Sequence, residues 1–216
     1  MGTTAVIAID GPAAAGKGTL ARMLAAELGF AYLDSGSLYR ATALALTESG
    51  GDPAREEDAT AAAHAIDASM LYAPALRSEE TGALASQIAS YSGVREALLD
   101  FQREFAAHPP KGTRGAVIDG RDIGTVVCPR ADLKLFVTAT PEERARRRTL
   151  ELEGRGEVAD YDAILDAVKA RDRADRERAT SPLVQADDAI LLDTTEMGIE
   201  KVFEAALALI HARLSV

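Results

Sequence analysis

The stretch that decides the fold reads TAVIAIDGPAAAGKGTL over residues 4–20. Its apolar half predicts a buried strand at 6–10, and Gly11-x4-Gly16-Lys17 predicts a loop that opens a helix. In such a loop, glycines allow a sharp turn and a close approach of the backbone to a phosphate. Backbone N–H groups and the helix N-terminus then face an anion, and Lys17 reaches the terminal phosphates. The predicted phosphate site comprises Gly11, Pro12, Ala13, Ala14, Ala15, Gly16, Lys17, Gly18 and Thr19.

The residue after the lysine is Gly18, and the first hydroxyl comes one position later, at Thr19. Most P-loop proteins place Ser or Thr directly after the lysine, where its hydroxyl binds Mg²⁺. Without that side chain, we predict that Mg²⁺ is held mainly by phosphates and water, with Thr19 as the one candidate protein ligand. The Gly-Lys-Gly-Thr order is similar to that of small-molecule kinases, especially the nucleoside monophosphate kinases.

Length, charge and composition narrow the class of protein. A chain of 216 residues is long enough for one α/β domain with insertions, and a net charge of −10 argues against a general nucleic-acid binder. The single cysteine, Cys128, and three scattered histidines argue against a disulfide and a zinc site. Neither a signal peptide nor an apolar run of about 18 residues is evident. We expect a cytoplasmic monomer without membrane partners.

Strands alternate with helices along the chain, which predicts a parallel sheet of about five strands with helices on both faces. The predicted strands are 6–10, 30–33, 116–119, 133–137 and 189–192. The predicted helices are 19–28, 37–48, 53–70, 79–90, 94–107, 142–153, 161–179 and 199–214, and 71–73 could be a short strand. We expect one domain over 1–216, with a core of 1–36, 113–141 and 181–216, a substrate-binding helical insert near 37–112 and an arginine-rich lid near 142–180.

Polar segments follow two further predicted strands, at Asp34–Gly36 and Asp119–Asp122. Ligands bind at the carboxyl ends of strands in such sheets, so both segments and the phosphate loop should face one cleft. The charges at 119–122 are costly to bury unless they are liganded or form an internal Asp–Arg ion pair. Asp34 or Ser35 could simply cap the next helix. Arg40 could lie on the surface, but the nearby phosphate loop favours it as a ligand of a second phosphate.

Two arginine-rich helices flank Gly154-Arg155-Gly156. The first carries arginines at 144 and 146–148, and positions 171, 175 and 178 of the second share one stripe. A solvated helix surface laced with salt bridges is the ordinary explanation. The alternative is a mobile lid that brings positive charge over phosphates and excludes water.

Several segments together carry a family resemblance: 9–19, 33–40, 85–89, 94–99, 119–127 and 171–183. The Asp-Gly-Arg-Asp run at 119–122, followed by the Arg-Asp-Arg helix, is more specific than the phosphate loop. Through these segments the chain resembles the bacterial cytidylate kinases, which are P-loop nucleoside monophosphate kinases, over nearly its whole length. The resemblance implies in-line transfer of the γ-phosphoryl group of ATP to CMP or dCMP, with Mg²⁺ as cofactor.

The resemblance also implies residue roles. Gly11–Thr19 would hold the ATP phosphates. The CMP phosphate would be bound by Ser35, Arg40 and Arg121. The cytosine would be read by Ser86, Arg95 and Asp122. Further CMP contacts would come from Arg171, Asp175 and Arg178, with Asp175 on the ribose hydroxyls. Charge in the transition state would be neutralised by Lys17, Mg²⁺ and lid arginines, for which the candidates are Arg147 and Arg155.

Asp122 is the residue that predicts base selectivity. Its carboxylate can accept a hydrogen bond from the 4-amino group of cytosine, whereas uracil presents an acceptor there. Two rival functions remain open: a kinase for UMP or AMP, and a non-catalytic P-loop module that binds a nucleotide to regulate a partner.

The chain departs from the family pattern at two places. Ala14 stands where the family often has glycine, which predicts ordinary backbone angles at this residue. Residues 66–82 leave room for one strand or hairpin, where many bacterial members carry a small β-sheet.

Overall fold

The computed structural model describes residues 5–214, apart from the side chains of residues 68, 72 and 77. Within this range one parallel sheet has the strand order β2-β3-β1-β4-β5. The strands are β1 (Ala5–Asp10), β2 (Ala31–Asp34), β3 (Gly115–Gly120), β4 (Leu133–Thr138) and β5 (Ile190–Asp193). Each of the five predicted strands is confirmed to within about one residue at either end. Residues 1–4 and 215–216 of the predicted domain lie outside the described residues.

Eight α-helices connect or flank these strands within residues 5–214. They are α1 (Lys17–Leu28), α2 (Ser35–Glu48), α3 (Glu56–Ala65), α4 (Glu79–Ile88), α5 (Ser92–Ala107), α6 (Pro141–Gly154), α7 (Tyr161–Glu177) and α8 (Ile199–Arg213). The predicted arrangement of helices on both faces of a parallel sheet is confirmed. No helix in this range combines the length and the apolar character needed to cross a membrane.

The central strand β1 explains why both sheet faces are covered. Ile7 and Ile9 are buried among side chains of α1 and α8, whereas Ala8 is buried on the other face with side chains of α2, α3 and α5. Successive side chains of a strand point to opposite faces, so a strand buried on both sides is apolar throughout. The parallel register places Asp10 beside Gly120 and Asp34 beside Asp119, so these strand ends meet at one edge.

The region after α3 differs from the prediction. The expected helix over 53–70 stops at Ala65, because the backbone of Ile66 is extended. The carboxylate of Asp67 accepts the N–H of Ser69 at 2.7 Å and begins a separate 3-10 turn at Ala68–Tyr72. Such local bonds offer the backbone an alternative to helix. The short strand considered at 71–73 is therefore wrong, and a second 3-10 turn follows.

Candidate active site

The loop between β1 and α1 has the backbone shape of a phosphate cradle. Gly11 has φ +145°, and a Cβ there would lie 1.9 Å from the carbonyl oxygen of Val137, so no side chain fits. Gly16, the N-cap of α1, has φ +86° and nothing within 4 Å of a Cβ position. Open space at a helix N-terminus, lined by backbone N–H groups, suits an anion.

Ala14 has a left-handed backbone conformation, with φ +59°. The expectation of ordinary backbone angles at this residue is therefore wrong. The left-handed region is unfavourable for residues with a Cβ and favours glycine. The loop keeps the shape that a glycine would adopt freely, at the cost of local strain in an exposed alanine.

Lys17 lies under this loop and is almost fully buried. Its Nζ donates a hydrogen bond to the carbonyl oxygen of Pro12 at 2.7 Å, which holds the amine against the loop. Burial and, to a smaller extent, the charge of Arg121 lower the pKa of Lys17 to about 7, against the opposing charges of Asp119 and Asp10. A polyanion above the loop would favour the charged amine, so the site is electrostatically prepared for phosphate.

Asp119 is the carboxylate nearest to the position where most P-loop proteins carry a hydroxyl. A Cβ on Gly18 would lie 3.7 Å from its Oδ2, and its Oδ1 accepts the hydroxyl of Tyr32 at 3.0 Å. Burial, with a smaller contribution from Asp34, raises the pKa of Asp119 to about 7. A cation beside this carboxylate would stabilise its charged form and lower its pKa.

Asp119 is a candidate carboxylate ligand for Mg²⁺ that differs from the predicted set of phosphates, water and Thr19. Mg²⁺ is usually held by one or two carboxylates together with phosphates and water. Among residues 5–214 no group of three or more His, Cys, Asp or Glu side chains is placed to hold a metal. The side chain of Thr19 lies on the wall of a pocket beside the loop, and Asp119 lies beside Gly18.

The predicted acceptor-binding residues converge on one cavity next to the loop. All nine line it, together with Gly36, Tyr39, Ala85, Ala89 and Gly120. The nine are Ser35, Arg40, Ser86, Arg95, Arg121, Asp122, Arg171, Asp175 and Arg178. The volume is about 70 Å³. Because ligand pockets typically measure about 300–1,000 Å³, a nucleotide can enter only if the walls separate.

Ion pairs between distant elements hold this cavity together. Arg121 Nε donates to Asp175 Oδ2 of α7 at 2.8 Å, and Asp122 pairs with Arg95 of α5. Arg178 NH2 lies 3.8 Å from the other oxygen of Asp122. The alternative of an internal ion pair within 119–122 is therefore wrong: Arg121 and Asp122 each find a partner on another element.

The cavity also contains donors that nothing in the described residues satisfies. Buried Arg95 Nε, Arg171 Nε and Arg178 NH2 have no hydrogen-bond partner within residues 5–214. Burial, together with the neighbouring charge of Arg121, lowers the pKa of Arg171 to about 10. Unsatisfied buried guanidinium groups are expensive, so their clustering indicates a site for an anionic ligand.

Two alternatives for the segment after β2 are settled by its contacts. Asp34 is the N-cap of α2, and its carboxylate accepts the N–H of Ser37 at 3.2 Å. Arg40 is not a free surface side chain: its NH1 donates to the carbonyl oxygens of Leu76 and Ser78. These contacts aim the guanidinium of Arg40 into the acceptor cavity.

A larger pocket of about 510 Å³ lies directly against the loop. Its walls are Ala15, Gly16, Thr19, Glu143, Arg146, Arg147, Val202 and the segment 194–199. Arg147 donates to the carbonyl oxygen of Thr194 at 2.6 Å and to Glu143 at 2.9 Å. Sequence reasoning missed the segment 194–199, although its position directly after β5, at a carboxyl end of the sheet, was a usable signal.

The two predicted catalytic arginines of the lid have different locations. Arg147 lines the larger pocket, next to the loop. Arg155 is the C-cap of α6, is partly exposed and pairs with Glu151 on its own helix. The structure does not bring Arg155 to either pocket.

A turn that was not predicted follows Asp122. Ile123–Val127 forms a single π-helical turn, a rare element that often marks functional sites. Asp10, at the end of β1, accepts the N–H groups of Ile123 and Gly124 at 2.8 and 2.7 Å. Burial raises the pKa of Asp10 to about 6. Asp10 thus links the base of the phosphate loop to the segment that carries Asp122.

Comparisons with known proteins identify the family of this chain. A family model described as "Cytidylate kinase" matches residues 7–212. The cytidylate kinase of Paramagnetospirillum magneticum is 55% identical over 96% of this chain and 98% of its own length. That of Xanthobacter autotrophicus is 54% identical, again over 96% of this chain and 98% of its own length.

The fold is shared more widely than the sequence. The crystal structure of shikimate kinase from Bacteroides thetaiotaomicron matches 96% of this chain and 98% of its own, with a TM-score of 0.51. Its sequence identity is 16%, so this likeness shows the fold alone. The match of the family model over nearly the whole length, together with relatives more than half identical, shows that this chain belongs to the cytidylate kinase family.

Proposed function

We propose that this protein transfers the γ-phosphoryl group of ATP to CMP, and to dCMP, giving CDP or dCDP and ADP. The observation that carries the proposal is the convergence of nine polar and charged side chains on one cavity beside the phosphate loop. They come from α2, α4, α5, the end of β3, α7 and the residue after it. Membership of the cytidylate kinase family supports the same activity.

On the donor side, the loop 11–19 holds the ATP phosphates through its backbone N–H groups, and Lys17 neutralises charge between the two substrates. Mg²⁺ bound with ATP supplies further charge neutralisation at the phosphates. The larger pocket, about 510 Å³, has room for the rest of the donor nucleotide. Arg147 lies on its wall and provides a cation for the donor phosphates.

On the acceptor side, Ser35, Arg40 and Arg121 bind the CMP phosphate. Arg171 lines the same cavity as Arg40 and Arg121, so three guanidinium groups face the space where the phosphate would bind. The second pKa of such a phosphate is about 6, so the attacking oxygen is already ionised near neutral pH. The reaction therefore needs no general base, and catalysis rests on position and charge.

Base recognition falls to Ser86, Arg95 and Asp122. Asp122 pairs with Arg95 and lies 3.8 Å from Arg178 NH2, and a carboxylate only accepts hydrogen bonds. The 4-amino group of cytosine can donate to it, while the 4-oxo group of uracil cannot. Arg171, Asp175 and Arg178 complete the contacts to CMP, with Asp175 on the ribose hydroxyls.

The lid, which comprises α6 and α7, opens to admit CMP and closes for phosphoryl transfer. The small volume of the acceptor cavity supports this movement, since about 70 Å³ is too little for a nucleotide. Arg155 reaches the phosphates only in a conformation that moves the end of α6 towards the loop.

A coupled assay with ATP and Mg²⁺ across CMP, dCMP, UMP and AMP tests the proposal. We expect turnover with CMP and dCMP, and weak turnover with UMP and AMP. A preference for UMP or AMP would show that Asp122 does not read the base. Binding of nucleotides without turnover of any monophosphate would favour the regulatory P-loop module instead.

A further inference from the structure

A buried arginine connects the phosphate loop to the lid. Arg144 of α6 is 1% exposed, so it cannot serve as one of the solvated lid arginines. Its NH1 donates to the carbonyl oxygen of Ala13 in the loop at 3.1 Å, and its Nε donates to that of Ala139 at 2.9 Å. NH1 and NH2 also donate to the two carboxylate oxygens of Asp172 on α7, at 2.8 and 2.5 Å.

Asp172 belongs to the helix that lines the acceptor cavity. Arg171, its neighbour in sequence, and Asp175, about one turn later, both line that cavity. Asp175 in turn pairs with Arg121. A continuous set of contacts therefore runs from the loop carbonyl of Ala13, through Arg144 and Asp172, to the side chains of α7 in the acceptor cavity.

The energetics of the Arg144–Asp172 pair favour a positional role. Desolvation offsets most of the attraction in a buried ion pair, and apolar replacements are often neutral or stabilising. Two parallel hydrogen bonds between a guanidinium and a carboxylate do, however, fix geometry tightly. The pair thus contributes more to where α7 lies relative to the loop than to net stability.

A second ion pair between the same helices provides a contrast. Lys169 of α7 lies 3.3 Å from Glu142 of α6, with both side chains about half exposed. Surface pairs of this kind contribute little and are screened by salt. Within residues 5–214 neither side chain forms a hydrogen bond or ion pair with the phosphate loop, so this pair serves as a matched control.

We propose that the Arg144–Asp172 pair is a positioning element that couples the two substrate sites. The proposal rests on the proposed function. When ATP orders the loop, the carbonyl of Ala13 is fixed, Arg144 holds Asp172 in place, and α7 presents Arg171 and Asp175 to CMP. Coupling between two binding sites is reciprocal, so ATP tightens CMP binding and CMP tightens ATP binding by the same factor.

Calorimetric titration of CMP tests this coupling, with and without Mg²⁺ and a non-hydrolysable ATP analogue. For the unaltered protein we expect CMP to bind at least about fivefold more tightly when the analogue is present. The double variant Arg144→Met/Asp172→Leu removes both charges together and leaves neither unpaired. We expect it to fold and to bind CMP alone, with the analogue no longer changing the affinity. Glu142→Gln should keep the full effect of the analogue.

Each other outcome is decisive. Unchanged CMP affinity with and without the analogue in the unaltered protein overturns the coupling, as does full coupling in the double variant. If Glu142→Gln lost as much coupling as the double variant, the coupling would depend on packing between α6 and α7 and not on the Arg144–Asp172 pair. If the double variant does not fold, Arg144→Lys keeps the charge but cannot make all four hydrogen bonds, and it must lose the coupling. Failure of the unaltered protein to bind CMP at all would instead refute the proposed function.

Discussion

In the proposed reaction the phosphate loop and the acceptor cavity each bind an anion, but the two sites are built differently. The loop uses backbone N–H groups of consecutive residues, shaped by Gly11 and Gly16, with one buried lysine below. The cavity uses side chains that five separate parts of the chain bring together. Under the proposed function, recognition of the donor phosphates is thus encoded locally, whereas recognition of the acceptor depends on the whole fold.

The two sides also differ in how complete they are without a ligand. The amine of Lys17 already donates to the carbonyl of Pro12. In the acceptor cavity, buried nitrogens of Arg95, Arg171 and Arg178 have no hydrogen-bond partner in the described range. We infer that the donor side is largely preformed, while the acceptor side is completed by the substrate that it binds.

The largest effect is expected on the donor side, from Lys17→Met. The substitution keeps the length of the side chain but removes the buried charge, so phosphoryl transfer loses charge stabilisation. We expect kcat to fall by about 10²–10³-fold or more in the coupled assay, with an unchanged fold by circular dichroism. Lys201→Met, an exposed lysine on α8, serves as the control and should keep full activity. A loss below tenfold in Lys17→Met would mean that the backbone cradle suffices alone.

A smaller and more selective effect is expected on the acceptor side, from Asp122→Ala. Loss of the carboxylate removes the acceptor for the cytosine amino group and leaves Arg95 and Arg178 without their partner. The ratio of kcat/KM for CMP over UMP should fall by about 10- to 100-fold, since one good contact to a base contributes about 1–3 kcal/mol of discrimination. Asp100→Ala, at an exposed position on α5, should leave the ratio unchanged. An unchanged ratio in Asp122→Ala would assign base reading to another group.

The same contrast explains how much of the fold and of the candidate site could be predicted from the sequence. The strands and the phosphate loop follow from local patterns, because apolar runs and glycine spacing act within a few residues. The roles of Ser86, Arg95 and Asp175 came only from a family resemblance, since nothing local indicates that α4, α5 and α7 meet at one cavity.

Other features depend on contacts between side chains that no sequence pattern reveals. The end of α3 depends on the bond between Asp67 and Ser69, which competes with a helical pattern of alanines. The burial of Arg144 depends on Asp172, 28 residues later in the chain. In the sequence, a buried arginine within a charged run cannot be distinguished from neighbouring arginines that are exposed to solvent.

The smallest predicted effect concerns the shape of the loop itself, and it uses two adjacent alanines. Ala14 has φ +59°, so Ala14→Gly relieves left-handed strain, and this gain exceeds the added entropy of the unfolded chain. We expect the free energy of unfolding in urea to rise by about 0.5–1 kcal/mol. Ala13 does not have a positive φ, so Ala13→Gly should lower it by about 0.4–1 kcal/mol. If both variants were destabilised, residue 14 would not have a left-handed conformation in solution. The phosphate loop would then not have the backbone shape described above.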